Sequence, residues 1–280
     1  MTSEHLMQHG RGAGLFRAVA ARCALLIGLT IAASWCVPLG GCAFNREPRF
    51  VTPMTLETPY SPDRTVTVWA VAPMRNESGT SAVDPLQVSD ALVAQLQQAR
   101  GVQVLSLNRT LAAMRSIGLA SIESQGDALR LAQELGVDAI VVGTITAYDP
   151  YDPLQLGLAL ALLAPAGSPI IGDPGATSTI DPYALQAVGT DFGLPMSGGA
   201  GPGPLSVVAA HYDGANHDVR FSAHRYAQGR TGSVSAMGWE AYLTSMRMFT
   251  KFACYDATAR LLYQEQRRLA GAQRAAVSEE

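Results

Sequence analysis

The sequence predicts an α/β fold, a mixed sheet flanked by helices, in one domain that carries a long Gly/Pro-rich insertion. Three observations carry this prediction. Between residues 65 and 147, short runs of β-branched and apolar side chains alternate with stretches of helical periodicity, as strands joined by helical crossovers do. From Leu154 to Leu162 leucine then returns at every second position, the period of a strand. Residues 165–204 lose that order and fill with Gly, Pro, Ser and Thr until periodicity resumes at residue 205, which reads as a flexible insertion.

The elements follow in order. Residues 65–72, Thr-Val-Thr-Val-Trp-Ala-Val-Ala, form a buried strand that stops at Pro73. Over residues 84–99, Leu86, Leu92, Val93 and Leu96 fall on one helical stripe, with Ser89 and Gln95 off it. Gly101 ends that helix, and residues 102–106 make a second strand. Asn108 is placed to cap a helix through Leu111, Met114, Arg115 and Ile117, stopped by Gly118. A helix over 125–135 turns Ala128, Leu131, Ala132 and Leu135 inward and ends at Gly136. Residues 137–147 are the most β-favouring run of the chain. Residues 148–153, Tyr-Asp-Pro-Tyr-Asp-Pro, turn it back into the leucine-rich strand. Residues 205–211 form a further strand, and a helix carries Val219, Phe221, Ala223 and Tyr226. A last helix aligns Trp239, Tyr242, Leu243, Met246, Phe249, Phe252 and Ala253, and runs through Leu261 and Leu262 towards a polar tail at 271–280. The domain therefore comprises 65–164 and 205–270.

The amino-terminal residues 1–41 have the order of an export signal. Arg11, Arg17 and Arg22 precede an apolar run over residues 23–37, and Pro38, Gly40 and Gly41 follow it. The run is shorter than the ~20 residues of a spanning helix, and starting translation at Met1 or Met7 leaves the reading unchanged. Residues 42–64 hold Pro48, Pro53, Pro59 and Pro62 with little periodicity, and read as an extended tether.

Charge and cysteine usage narrow the function classes. Without Glu4 and the three arginines of the export signal, the remainder holds 22 acidic and 17 basic residues, a net charge of −5. No basic tract is present, which argues against nucleic acid as a partner. Of the four cysteines, Cys23 and Cys36 leave with the signal and Cys254 falls in an apolar helical pattern. Cys254 therefore reads as a small core residue, and a disulfide framework or four-cysteine metal site is excluded.

The search for chemistry yields little. His211, His217 and His224 share a segment with Asp213 and Asp218. Spacings of six and seven residues across a turn do not return imidazoles to one face, so surface histidines are favoured over metal ligands. Residues 198–204 lack the Lys-Ser/Thr ending of a phosphate loop, and Pro202 and Pro204 remove N–H donors. No Gly-x-Ser-x-Gly elbow anchors a hydrolase triad. The strongest binding candidate is the loop of Arg75, Asn76, Glu77 and Ser78, because ligands in open α/β sheets favour the carboxyl ends of central strands. A plain turn shaped by Asn76 and Gly79 is the competing reading, and the favoured one. The leucine-faced strand invites a membrane-barrel reading, but its other face is Gly and Ala rather than polar, so core is favoured.

Leu39-Gly-Gly-Cys42 resembles a lipobox, the cleavage motif of bacterial lipoprotein signal peptides. The resemblance implies cleavage between Gly41 and Cys42, and acylation that anchors Cys42 in a lipid bilayer. Ala43 rather than Asp follows the cysteine, which favours the outer membrane, facing the periplasm, if the host has two membranes. Residues 66–145 in turn resemble an envelope fold found in the amino-terminal domain of the TolB periplasmic protein, in lipoprotein activators of penicillin-binding proteins and in the curli secretion lipoprotein. The matching pieces are residues 68–79, Val-Trp-Ala-Val-Ala-Pro-Met-Arg-Asn-Glu-Ser-Gly, and residues 135–145, Leu-Gly-Val-Asp-Ala-Ile-Val-Val-Gly-Thr-Ile, with Met74 where that group carries an aromatic. These are strand and turn signals, and they bear on fold rather than activity. The expectation is a non-enzymatic envelope lipoprotein without cofactor or metal, acting on a protein partner as scaffold, adaptor or regulator. A secretion-channel subunit and a ligand-binding or enzymatic periplasmic domain are the alternatives.

Overall fold

The computed structural model describes residues 52–60, 66–171, 203–231 and 236–278. The export signal, Gly41, Cys42 and most of the 165–204 insertion lie outside the described residues.

The strands are β1 (Thr67–Val71), β2 (Arg75–Asn76), β3 (Val102–Val104), β4 (Ala139–Asp149), β5 (Gln155–Leu163) and β6 (Ser206–Asp213). The α-helices are α1 (Pro85–Leu96), α2 (Leu107–Ser116), α3 (Gln125–Leu135), α4 (His217–Ala227), α5 (Ala241–Thr244) and α6 (Met246–Ser278), with a 3₁₀ turn at Gly238–Glu240 before α5. They build one mixed six-stranded sheet in the order β3-β1-β4-β5-β6, with β2 also on β4. β1 runs parallel to β3 and β4, while β5 runs antiparallel to both β4 and β6. The predicted mixed α/β sheet flanked by helices is the architecture found.

The junction of β1 and β2 shows how local sequence shapes the sheet. Both strands lie along β4, β1 beside Ala139–Val141 and β2 beside Thr144–Ile145. Pro73 has no N–H to give a ladder, and the Met74 amide leaves the sheet to donate to Ser89 Oγ on α1, 2.8 Å away. Ser89 also donates to the Pro85 carbonyl at 2.7 Å. This corrects the helical stripe read from sequence. Ser89 and Gln95 are buried while Leu86 is 45% exposed, because the sheet break supplies a donor for Ser89, and Tyr226 Oη donates to Gln95 Oε1 at 3.2 Å.

Helix ends follow from their caps. Asp84 accepts from the Leu86 and Gln87 amides with Pro85 at the first helical position. Ser124 and Asp127 close a capping box on α3, and Gly136 ends it at φ 62°, the left-handed geometry glycine adopts freely. Asn108, in contrast, does not cap α2. The chain turns two residues earlier at extended Ser106, and buried Leu107 is the first helical residue.

Helices cover both faces of the sheet. On one, α1, α4 and α6 meet Trp69, Val71 and the five alternate leucines from Leu154 to Leu162. On the other, Met114 of α2 and Ala128, Leu131 and Ala132 of α3 meet Ala70, Ile140, Val142, Ala159 and Ala161. The leucine-rich strand is therefore buried on both sides, the large face under the aromatic helix α6 and the small face under alanines of α3. Cys254 is fully buried and unpaired, as a core residue. Two details of the carboxyl end differ from the sequence reading. Trp239 stands in the 3₁₀ turn ahead of α6, and α6 continues through residues 271–278.

Residues 52–60, the last described part of the tether segment, lie against this body. The Arg100 amide donates to the Leu56 carbonyl at 2.8 Å, and the Thr58 amide donates to the Arg100 carbonyl at 3.0 Å, adding a short parallel bridge beside β3. Gly101 keeps this approach open, since a Cβ there would collide with Thr58 Oγ1.

Candidate functional site

The candidate loop sits where β1 and β2 leave the sheet. Asn76 spends its side chain inside the turn. Its Nδ2 donates to the Thr80 carbonyl at 2.7 Å, and its Oδ1 accepts from the Ser78 amide at 3.1 Å and from Ser78 Oγ at 2.6 Å. Arg75 and Glu77, both partly exposed, pair at 3.0 Å. Two of the four residues define a turn, and two present an ion pair to solvent.

The denser polar constellation lies elsewhere and joins segments remote in sequence. Glu265 on α6 is fully buried, and Arg268 is 5% exposed. One carboxylate oxygen, Oε1, accepts from Tyr60 Oη at 2.9 Å and from Arg268 Nη2. The other, Oε2, accepts from Ser206 Oγ at 2.7 Å and Arg268 Nε at 2.9 Å. Arg268 then donates to the carbonyls of Ile170, at 2.6 Å, and Ile171, at 2.8 Å. Burial and the Glu265 charge hold the Tyr60 hydroxyl far above its ordinary range. Desolvation pulls the Arg268 guanidinium down, but its bonds to Glu265 outweigh that and its pKa is raised. The cluster is saturated by its own members. It ties the segment before β1, the start of β6 and the residues after β5 to one turn of α6.

A second clamp holds the same amino-terminal segment at its other end. The Arg230 guanidinium lies 4.3 Å from the Tyr226 ring centroid and 4.8 Å from that of Tyr255, and Nη2 donates to the Met54 carbonyl at 2.7 Å. Between the clamps a cleft of about 370 Å³ opens, lined by Leu56, Thr58, Pro59, Ala259, Leu262 and Tyr263. Its charged neighbour Glu57 pairs with Arg100 at 3.5 Å. A third set, Tyr212, Asp256 and Arg260, is again self-satisfied, with Asp256 Oδ2 accepting from Tyr212 Oη at 3.0 Å and from Arg260 Nε at 2.6 Å.

Sequence reasoning missed Glu265, Arg268, Tyr60 and Arg230. Tyr60 and Glu265 are 205 residues apart, and neither carries a local motif. The available signal was a Glu and an Arg at i, i+3 on a helix whose neighbouring turns are apolar. The three histidines are exposed. His224 meets Trp239 edge-on at 5.3 Å. Among the described residues no three His, Cys, Asp or Glu groups gather as metal ligands, and no helix is long and apolar enough to cross a membrane.

No family model matches the chain, and no curated protein matches it. Several solved structures are similar. One is lipoprotein GNA1162 from Neisseria meningitidis, 18% identical over 36% of this chain and 74% of that one, with a TM-score of 0.31. Another is the LpoB carboxyl-terminal domain from Salmonella enterica, 16% identical over 42% and 76%, with a TM-score of 0.30. The hypothetical protein CT253 from Chlamydia trachomatis is 9% identical over 74% and 97%, with a TM-score of 0.34. These similarities assign no activity to this chain.

Proposed function

We propose that the chain is a lipoprotein of the bacterial envelope, cut between Gly41 and Cys42, acylated on Cys42 and acting without catalysis as a scaffold, adaptor or regulator of a protein complex. The carrying observation is Leu39-Gly-Gly-Cys42 behind an apolar run and a basic amino terminus. Two features of the fold support it. Residues 52–60 are bonded to the body at both ends, so an anchor on Cys42 would hold the domain through a short leash rather than the whole segment 42–64. The polar clusters of the described fold also satisfy one another, which suits a rigid carrier of surfaces better than a site poised for proton or group transfer. The outer membrane, facing the periplasm, is the proposed location. Arg75 and Glu77 are the part of the candidate loop offered to a protein partner.

Cys42→Ala should accumulate as an unprocessed precursor, heavier than the mature protein by the signal residues and lacking acyl mass. Intact-mass measurement on membrane fractions checks this, and a variant that matures with the normal mass sinks the proposal.

A further inference from the structure

We infer that the solvent face of α4, with Met237 and Trp239 beside it, docks onto a membrane surface carrying acidic phospholipid headgroups. The inference rests on the reading of Cys42 as a lipid anchor, and adds a second contact that the anchor does not supply.

The face is continuous. At 100° per residue, Arg220, His224, His217, Phe221 and Arg225 span roughly 140° of the helix circumference, and all five are exposed. Ala223 and Tyr226 occupy the opposite, buried side, Ala227 is buried beside Arg220, and exposed Asp218 borders the face next to Arg225. Phe221 is 56% exposed and Met237 53%, and Trp239 is half-buried beside them. Trp239 stands between the Arg220 guanidinium, 5.7 Å from its ring, and the His224 ring, 5.3 Å away, with exposed Glu240 next to it in sequence. Aromatic and thioether side chains set among arginines match an interface in which apolar groups enter the acyl boundary and guanidinium groups meet phosphates.

Charge and connectivity select the occupant. Residues 66–213 hold 13 acidic and 5 basic residues, a net −8, whereas residues 214–280 hold 6 acidic and 9 basic, a net +3. The α4 residues thus lie in the basic part of the sequence, and Arg220 and Arg225 present the positive charge that a negative surface would meet. The amino-terminal segment enters the fold at this corner. Met54 gives its carbonyl to Arg230 at 2.7 Å, and its sulfur lies 3.8 Å from Arg225 Nη2. Met54 stands twelve positions after Cys42, a reach of at most about 43 Å. An acyl chain on Cys42 keeps this basic corner close to the bilayer, where a weak patch suffices because the second contact is intramolecular.

The test uses the mature chain made unacylated by Cys42→Ser, with vesicles of phosphatidylcholine alone or containing phosphatidylglycerol. Binding should require phosphatidylglycerol, weaken with salt, and shift Trp239 emission to the blue, since the other tryptophan, Trp69, is fully buried. Arg220→Glu with Arg225→Glu, both on exposed residues, should weaken binding at least about twentyfold, at roughly fivefold per arginine lost. Arg109→Glu with Arg115→Glu makes the same charge change on exposed positions of α2 and should leave most of the affinity. Absence of binding to acidic vesicles, or equal loss in both double variants, overturns the inference. In the first case an acidic protein becomes the occupant to pursue. The mass of cell-made protein scores acylation of Cys42 separately, so failure of the anchor and failure of the patch give different results.

Discussion

At the scale of single residues, Arg268 is a polar group that joins separate segments of the described chain. Its guanidinium satisfies Glu265 and two carbonyls following β5, and no other described side chain bonds Glu265 with a positive charge. Arg268→Met leaves a fully buried carboxylate without its counter-charge, which costs about 3–5 kcal/mol. Urea unfolding should show a lower midpoint with unchanged slope. Hydrogen exchange should rise at residues 52–60 and 168–171 together, because Arg268 bonds the Ile170 and Ile171 carbonyls directly and holds Tyr60 through Glu265. Cys254 answers a different question. Burial raises its thiol from 9.0 to about 12, so the native protein should resist thiol reagents at pH 8 and react only after denaturation. The sign of the pH effect follows from the protonated form being favoured in the fold. Its stabilising contribution is complete below about pH 9 and is lost as pH rises towards about 12. Tyr226, raised to about 12 by burial, acts in the same direction, so alkaline pH should lower the unfolding midpoint. A midpoint flat from pH 8 to 11 refutes this.

At the scale of elements, periodicity and caps were legible wherever a face is uniform. The α3 span, its Gly136 stop and the two-faced leucine strand all follow from local pattern, since apolar spacing and cap chemistry are short-range properties. Legibility failed where a polar residue found a distant partner. Ser89 and Gln95 look solvent-facing in α1 until the Met74 amide and Tyr226 are brought to them. The strand pairing holds a further constraint. β4 shifts register between Ile145 and Ala147 opposite Gly157, and a Cβ on residue 157 would stand 2.8 Å from the Ala147 amide nitrogen. Gly157→Ala should therefore destabilise by about 1–3 kcal/mol through overpacking, read as a lowered denaturant midpoint. An unchanged or raised midpoint would show that the bulge yields without cost.

At the scale of the whole molecule, the sheet separates two helical layers, and the chain's amino-terminal lead-in is bonded into one of them. Residues 52–60 run from the Arg230 clamp to the Glu265 cluster, with Tyr60 edge-on to Trp69 at 6.1 Å. The segment that would carry force or position from an anchored Cys42 therefore ends on the core. Charge is divided along the sequence as well, net acidic over residues 66–213 and net basic over 214–280, and the proposed preference of the α4 face for acidic bilayers draws on the basic part. The expected salt-dependent vesicle binding belongs to this scale, because it reads a field summed over many residues rather than one bond.

The sequence by itself determined the α/β class, most elements and their ends and the core placement of Cys254, and it alone carries the proposal of an export signal ending at Cys42. Each depends on interactions within about a turn or a strand of the residue concerned, or on a motif that is itself linear. The tertiary structure alone decided that residues 52–60 lie on the body, that Glu265 and Arg268 are a buried hub, and that half-buried Trp239 stands against the exposed face of Arg220, Phe221 and Arg225, with Met54 beside Arg225. Those arrangements join residues as far as 205 positions apart. Nothing in local propensity encodes them, because burial and pairing arise only once the sheet brings α4, α6 and the amino-terminal segment to one side.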